Sequence, residues 1–470
     1  MRLRRFAVPL AFTLVGQAVP AQSAPTREDS LHRAIFKELI EINSSPLGGD
    51  VSRATRAVQR RLLAAGFPAA DVQVVGGSPT CLNLVATLRG KDRKAKPVLL
   101  MAHLDVVPAK RSDWQFDPYV LREQDGWFTG RGTVDNKAGA SILVANMVRW
   151  KRERFVPTKD VMMLLTCDEE TSAEGGARWV LANVPRLKEV DYALNTDAGG
   201  ANETKAGKVY FDMQAAEKVY ATFELTARNP GGHSSVPRPD NAIYQLAAAL
   251  TRVGGYTFPV MYNDVTRMAF LRGAELESGQ LAEDMKAAGQ GATSGPAIDR
   301  LSQVTYLRAQ LRTTCVATML SGGHAENALA QSATATVNCR IMPGVPIEDV
   351  QKTLVGLVAD TTITVKLTYP PTPSGASPLR DDVVPVIERL AADMWKGAVL
   401  VPGMSNGATD GLYFRNAGIP VYGAAALLMD SEDDRSHGLD EKVPVASLYK
   451  AREYWYRLVK ELTTTTTRAM

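Results

Sequence analysis

The chain is expected to fold as an α/β protein with a mostly parallel sheet, interrupted by a smaller α+β lid domain. Three observations predict this. Short, wholly apolar runs such as P-V-L-L-M-A (97–102) and V-M-M-L-L-T (161–166) alternate with segments of helical period, as strands buried on both faces do. At 470 residues the chain exceeds what one core holds. From Gln214 the texture changes, and K-V-Y-A-T-F-E-L-T-A alternates apolar and polar residues like a half-exposed strand.

Taken in order, M-R-L-R-R, a short apolar core and P-A-Q-S-A read as a signal peptide over residues 1–21, cut after Ala21 or Ala24. The run 97–102 is the first strand singled out, 136–152 a helix following Asp135, 161–166 a strand, Gly175 to Val184 a helix stopped by Pro185, and Y-A-L-N-T (192–196) a strand. Beyond the texture change come an Ala-rich helix from Ala242 to Val253, a stretch from Gly254 to Gly323 rich in Gly, Ala and Gln with weak periodicity, and the alternating strand 333–342. P-G-V-P then marks a boundary. The α/β pattern resumes with V-V-P-V-I-E-R-L-A-A-D-M and I-P-V-Y-G, and a Thr-rich tail closes the chain, expected to fray. The expected division is a catalytic domain over 25–213 and 343–470, with the lid over 214–342.

Composition narrows the function. Hydrophobic residues at 45% and charged residues at 22% are ordinary for a globular enzyme. The net charge of +4 includes Arg2, Arg4 and Arg5 of the leader, so no basic patch points to nucleic acid. No later run is apolar enough for a membrane span, and the expected destination is periplasmic or extracellular. Cys81, Cys167, Cys315 and Cys339 include no C-x-x-C pair and no spacing that selects a pairing, and Cys167 reads as a buried thiol.

Acid/base and metal-binding side chains cluster at or just beyond strand ends: His103 and Asp105 in M-A-H-L-D, Asp135 in G-R-G-T-V-D-N-K, Glu169 and Glu170 in L-L-T-C-D-E-E, and Asp197 in L-N-T-D-A-G-G. His437 follows in R-S-H-G-L-D-E. An open α/β sheet presents ligands this way, because its crevice lies outside the carboxyl ends of its strands. Each residue has a plain alternative: Asp135 as a helix N-cap, Asp197 as a turn residue, His437 as a surface histidine. The set carries the argument. Residues i and i+2 of an extended segment share a side, so Asp105 can fix the His103 imidazole. Adjacent Glu169 and Glu170 repel unless a cation holds them, leaving one acid as ligand and the other as general base. Two metals fit: His103 with Glu170 or Asp197 on one, His437 with the other carboxylate on the second, and Asp135 bridging. Mixed N and O ligation suits Zn²⁺, with Co²⁺ or Mn²⁺ as alternatives.

With H-L-D-V-V-P, G-R-G-T-V-D-N-K, D-E-E and G-G-H-S-S-V-P, nearly the whole mature chain resembles the M20 family of metallopeptidases, most closely its carboxypeptidase S-like branch. The resemblance implies His103, Asp135, Glu170, Asp197 and His437 as ligands, Asp135 as the bridge, Glu169 as general base and Asp105 as the partner of His103. It implies His233 as an oxyanion donor, often across a dimer interface, and Asn327, Arg340, Thr409 and Asp410 as substrate-binding or pocket-lining residues. It also implies a homodimer formed through the lid. Two departures are Ala330, where the family often has proline, and D-A-G-G, where related chains often have D-E-G. The expected activity is hydrolysis of a peptide or N-acyl amino acid beside a free carboxylate. An aminoacylase acting on non-peptide N-acyl substrates and a catalytically silent binding protein are the alternatives.

Overall fold

In the strands Val98–His103, Val161–Thr166 and Tyr192–Asn195 every side chain is buried, and the period of two sorts them onto two faces. Leu100, Met163 and Leu194 meet the helix Lys137–Arg152, with Ile142, Met147 and Trp150 fully buried, and the helix Val445–Thr464. Leu99, Met101, Met162 and Leu164 pack on the other side with Val180 and Phe414. Truncating one such residue to alanine costs about 2 to 5 kcal/mol.

The computed structural model describes residues 25–171, 175–204, 207–430 and 433–464. The expected leader and its cut sites, and the end of the Thr-rich tail, lie outside the described residues. Nine strands form the large sheet. At its heart Val161–Thr166, Val98–His103, Tyr192–Asn195 and Val421–Gly423 run parallel, so their carboxyl ends open on one edge. The flanking strands Val72–Ser78 and Cys81–Leu88 are antiparallel. On the far side Val209–Glu217 and Val399–Ser405 run parallel to each other. Among the described residues no helix is long and apolar enough to cross a membrane.

The second unit is a four-stranded antiparallel sheet ordered Thr314–Gly322, Ser332–Ile341, Val219–Arg228, Ile363–Leu367. Its last strand lies past the boundary expected at 342, because P-G-V-P turns the chain into the helix Ile347–Val358, which packs on this same sheet. The strand Val209–Glu217 belongs to the large sheet, so the chain crosses between the two sheets at Lys218. The weakly periodic stretch after 254 holds the helices Asp264–Leu276, Gly279–Gly289, Pro296–Leu301 and Thr305–Leu311. Their short lengths and Ala/Gly content blur the apolar stripe.

Both cysteine pairs are bridged, Cys81 to Cys167 and Cys315 to Cys339. Cys167 is therefore half of a disulfide and not the free thiol expected. Strand register explains the second bridge, where Cys315 stands opposite Cys339 in an antiparallel ladder. The ladder of Leu84 with Leu165, continued outward, sets Leu82 opposite Cys167, so Cys81 joins Cys167 from one place off that register.

Candidate metal centre

Three parallel neighbours deliver the first groups to one edge. His103 ends its strand, Glu169 and Glu170 stand in a single helical turn after Thr166, and Asp197 follows Asn195. Asp135 arrives in the turn before the helix Lys137–Arg152. His437 comes from the loop ahead of the short strand Lys442–Pro444.

Asp135 stands at the centre. Its Oδ1 lies 2.8 Å from His103 Nε2 and its Oδ2 lies 3.0 Å from His437 Nε2. Asp197 Oδ1 is 3.3 Å from His103 Nε2, and Glu170 Oε2 is 3.1 Å from His437 Nε2. Two imidazole-carboxylate groups are thus joined through the two oxygens of one acid. Glu169 lies beside His103 and Asp197, within the same cluster of prospective ligand atoms. Glu170 Oε1 is buried with no hydrogen-bond partner. An orphaned oxygen among crowded carboxylates and imidazoles is what hard divalent cations satisfy, so the donor set fits the metals expected.

The electrostatics agree. Burial pushes the Glu169 acid well above the usual range, and the neighbouring Asp197 charge adds to it. Burial alone would lower His103, but Asp197 and the contacts with Asp105 and Asp135 outweigh it and hold the imidazole well above its ordinary value. Hydrogen bonds to Asp135 and then Glu170 raise His437 to about 10. The cluster is rich in negative charge and takes up protons where cations are missing.

A match to the description Peptidase family M20/M25/M40 spans residues 99–461. The chain belongs to this family. N-fatty-acyl-amino acid synthase/hydrolase PM20D1 of Homo sapiens is 27% identical over 395 residues, which span 80% of this chain and 76% of the relative. Carboxypeptidase S of Saccharomyces cerevisiae is 30% identical over 277 residues, spanning 55% of this chain and 47% of the relative. The M20 family metallo-carboxypeptidase Sso-CP2 from Sulfolobus solfataricus shares the fold, with a TM-score of 0.68 at 15% identity over 92% of this chain and 99% of that one. This M20 chain is accordingly a hydrolase of the metallopeptidase and amidohydrolase kind.

The other expected site residues lie around this cluster or in the second unit. The nearest partner of His103 Nδ1 is the main-chain carbonyl of Asp105, at 3.0 Å, while the carboxylate stands 3.6 Å away. That carboxylate accepts the backbone N–H groups of Glu169 at 3.2 Å and Glu170 at 3.0 Å, fixing the turn that carries both acids. Thr409 and Asp410 are buried. The Thr409 N–H donates to Glu217, and Asp410 accepts from the Thr166 hydroxyl. Burial pushes the Asp410 acid up to about 7.

His233 and Asn327 meet on an exposed two-rung ladder of the second unit, where His233 pairs with Ala328 and the Ser234 N–H donates to the Asn327 carbonyl. The side-chain contacts of His233 stay local, its Nδ1 facing the Ser235 hydroxyl at 2.7 Å. Arg340 is half-buried, stacked 4.6 Å over the Tyr220 ring, and its Nη1 donates to the Asn406 carbonyl at 2.9 Å. Among the described residues no carboxylate pairs with it.

Sequence reasoning missed Glu441. This fully buried acid accepts from Arg131 at 2.7 Å and from the backbone N–H groups of Gly132, Val134 and Asp135. Arg131 also donates to the carbonyls of His437 and Gly438. His437 has a φ of 64°, a strained value for a residue with a side chain, and those contacts help to hold it. The acid following L-D after His437 was the available signal, but its partner lies 310 positions away.

Proposed function

We propose that this M20 chain hydrolyses the amide bond of a peptide or N-acyl amino acid beside a free carboxylate, using two divalent cations with zinc the best fit. One observation carries the reading: Asp135 reaches two separate histidine-carboxylate groups through its two oxygens. His103 and Asp197 would hold one cation, His437 and Glu170 the other, with Asp135 shared. When bound, such a pair lowers the pKa of water and polarises a carbonyl.

The rest falls to the chain's own groups. Glu169 takes a proton from water and passes it to the departing nitrogen. The Asp105 carboxylate keeps the Glu169 turn rigid through two backbone hydrogen bonds. Arg340 presents its remaining N–H donors to a substrate carboxylate, a pairing its planar fork favours. The half-buried guanidinium, which pairs with no carboxylate among the described residues, supports this role.

His233 is assigned to the oxyanion from a second copy of the chain. Support comes from the exposed edge strand Thr314–Gly322, which shows Val316, Met319 and Leu320 to solvent. Such an edge is a template for pairing with a like strand. Export to an oxidising compartment is supported by the two disulfides together with the leader motif.

The test is direct. Elemental analysis should find close to two metals per chain, and dipeptides and N-acyl amino acids should turn over until a chelator is added. Full activity with at most one tightly held ion, or no turnover of either class by the metal-loaded protein, would overturn the reading.

A further inference from the structure

The strand Val161–Thr166 is held unequally on its two flanks. Its ladder with Val98–His103 runs as far as the pair of His103 and Thr166, whereas its ladder with Cys81–Leu88 ends at Leu84 and Leu165. Just beyond that point the Cys81–Cys167 bridge takes over. A covalent tie therefore stands between this strand and the turn that carries Glu169 and Glu170.

The chain leaving that turn comes back onto the same bridge. The Asp168 carboxylate accepts the Gly175 N–H at 2.7 Å, and the buried Asn83 side chain donates to the Gly175 carbonyl at 2.8 Å. A Cβ at Gly175 would lie 2.5 Å from Cys81 Sγ, and one at Gly176 would lie 2.0 Å from Asp168 Oδ1. Only glycine lets the backbone close so tightly. Cys81, Cys167, Asp168 and Asn83 thus form the neck of a loop that carries both acids.

Past the neck, the acid turn is anchored by the two N–H groups it gives to the Asp105 carboxylate. Repulsion works against those bonds. Asp105, Asp168, Glu169 and Glu170 crowd one turn, Glu169 clusters with Asp197, and Glu170 clusters with Asp135. Like charges this close push apart until cations arrive. The disulfide resists that spreading where hydrogen bonds alone would yield.

We propose that the Cys81–Cys167 bridge is a redox latch on the metal centre. It positions Glu169 and Glu170 for metal loading and turnover, and the chain lacking it is folded but silent; this rests on the roles assigned above to those two acids. The latch closes by exchange: the Cys81 and Cys167 thiols give two electrons and two protons to an external disulfide, which leaves as a dithiol, and a dithiol reverses the step. Cys81 is half-buried, so a small reagent reaches it. The chain is switched on where disulfides persist and stays off among thiol reductants. The Cys315–Cys339 bridge, inside the second sheet, has no such role.

The test compares two full-length variants, Cys81→Ser/Cys167→Ser and Cys315→Ser/Cys339→Ser. Mn²⁺ is the probe, because thiolates hold it weakly and freed cysteines will not imitate the centre. The first variant should bind Mn²⁺ about 10- to 100-fold more weakly than the wild type, its Glu169 and Glu170 amide protons should exchange faster, and its kcat should fall. The second variant should match the wild type in all three. A bridge that serves only stability would lower Tm and leave affinity and local exchange unchanged. Should the first variant not fold, the second is reduced in its native state with a water-soluble phosphine, which becomes its oxide with oxygen from water as the bridge takes up two electrons and two protons. The same losses should then appear, and renewed oxidation should reverse them. If the oxidised protein binds Mn²⁺ but hydrolyses neither dipeptides nor N-acyl amino acids, the substrate reading fails and affinity still reports the latch. If it binds no metal, exchange at the two amides decides. Equal affinity and exchange with and without this bridge, or unfolding of the whole chain when it is reduced, would overturn the proposal.

Discussion

Arg131 and Glu441 form a buried ion pair at 2.7 Å that holds two loops of the metal centre at once. Glu441 gathers the backbone leading into Asp135, while Arg131 reaches the carbonyls of the His437 loop. Glu441→Ala leaves Arg131 buried without its partner, which costs about 3 to 5 kcal/mol. We expect a lowered Tm and weakened metal retention together, with Glu441→Gln intermediate. Thermal melts and dialysed metal content measure both, and a variant that melts early yet keeps its full metal load would refute the positioning role.

Glu169→Gln removes a proton carrier and no assigned ligand. It should retain the metal stoichiometry of the wild type while kcat falls by at least about 100-fold. Turnover near the wild-type level would place the base elsewhere.

Metal affinity should rise with pH. His437 is raised to about 10 and His103 well above its ordinary value, so both imidazoles hold a proton more tightly than a free histidine and must give it up to ligate. Lowering the pH strengthens the proton's hold and weakens the metal's. Calorimetric titrations in buffers of different ionisation enthalpy should show at least one proton released per metal-loading cycle at neutral pH, and zero release would contradict the ligand set.

Arg340 should discriminate between a substrate and its C-terminal amide. Loss of one member of a buried charged pair costs about 2 to 5 kcal/mol, so kcat/KM should drop by more than tenfold for the amide in the wild type and by little in Arg340→Ala. Equal discrimination in both proteins would show that the guanidinium does not read the carboxylate.

If His233 serves a neighbouring copy, two inactive variants should rescue each other. Mixing Glu169→Gln with His233→Ala and allowing subunits to exchange should restore part of the wild-type rate, since one hybrid site holds both intact residues. Mixtures no faster than the separate variants would sink the arrangement across two chains.

Part of the cluster was legible because three of its segments follow a recognisable strand: the apolar runs 97–102, 161–166 and 192–196 lead to His103, to Glu169 and Glu170, and to Asp197, whereas Asp135 and His437 come from a turn and a loop. What was illegible depends on register between distant segments. The partnership of Cys315 with Cys339 follows from the ladder that joins two strands, and no spacing announces it. The spacing of His103 and Asp105 suggested a carboxylate beside the imidazole, and it stands 3.6 Å from Nδ1; the nearer Asp105 carbonyl, and the acceptance by the same carboxylate of the Glu169 and Glu170 N–H groups, depend on how the chain turns after the strand. The strand Ile363–Leu367 joins the second sheet after an intervening helix, so a local boundary signal at P-G-V-P misled.

The late position of His437 and Glu441 has a consequence for biosynthesis. A ribosome supplies His103, Asp135, Glu170 and Asp197 hundreds of residues before the second histidine and the acid that orders the Asp135 loop. Until that last segment emerges, a nascent chain has at best half a centre. A fragment ending before His437 should be not a weaker hydrolase but an inert one, so the assembled site acts as a receipt for a completed polypeptide.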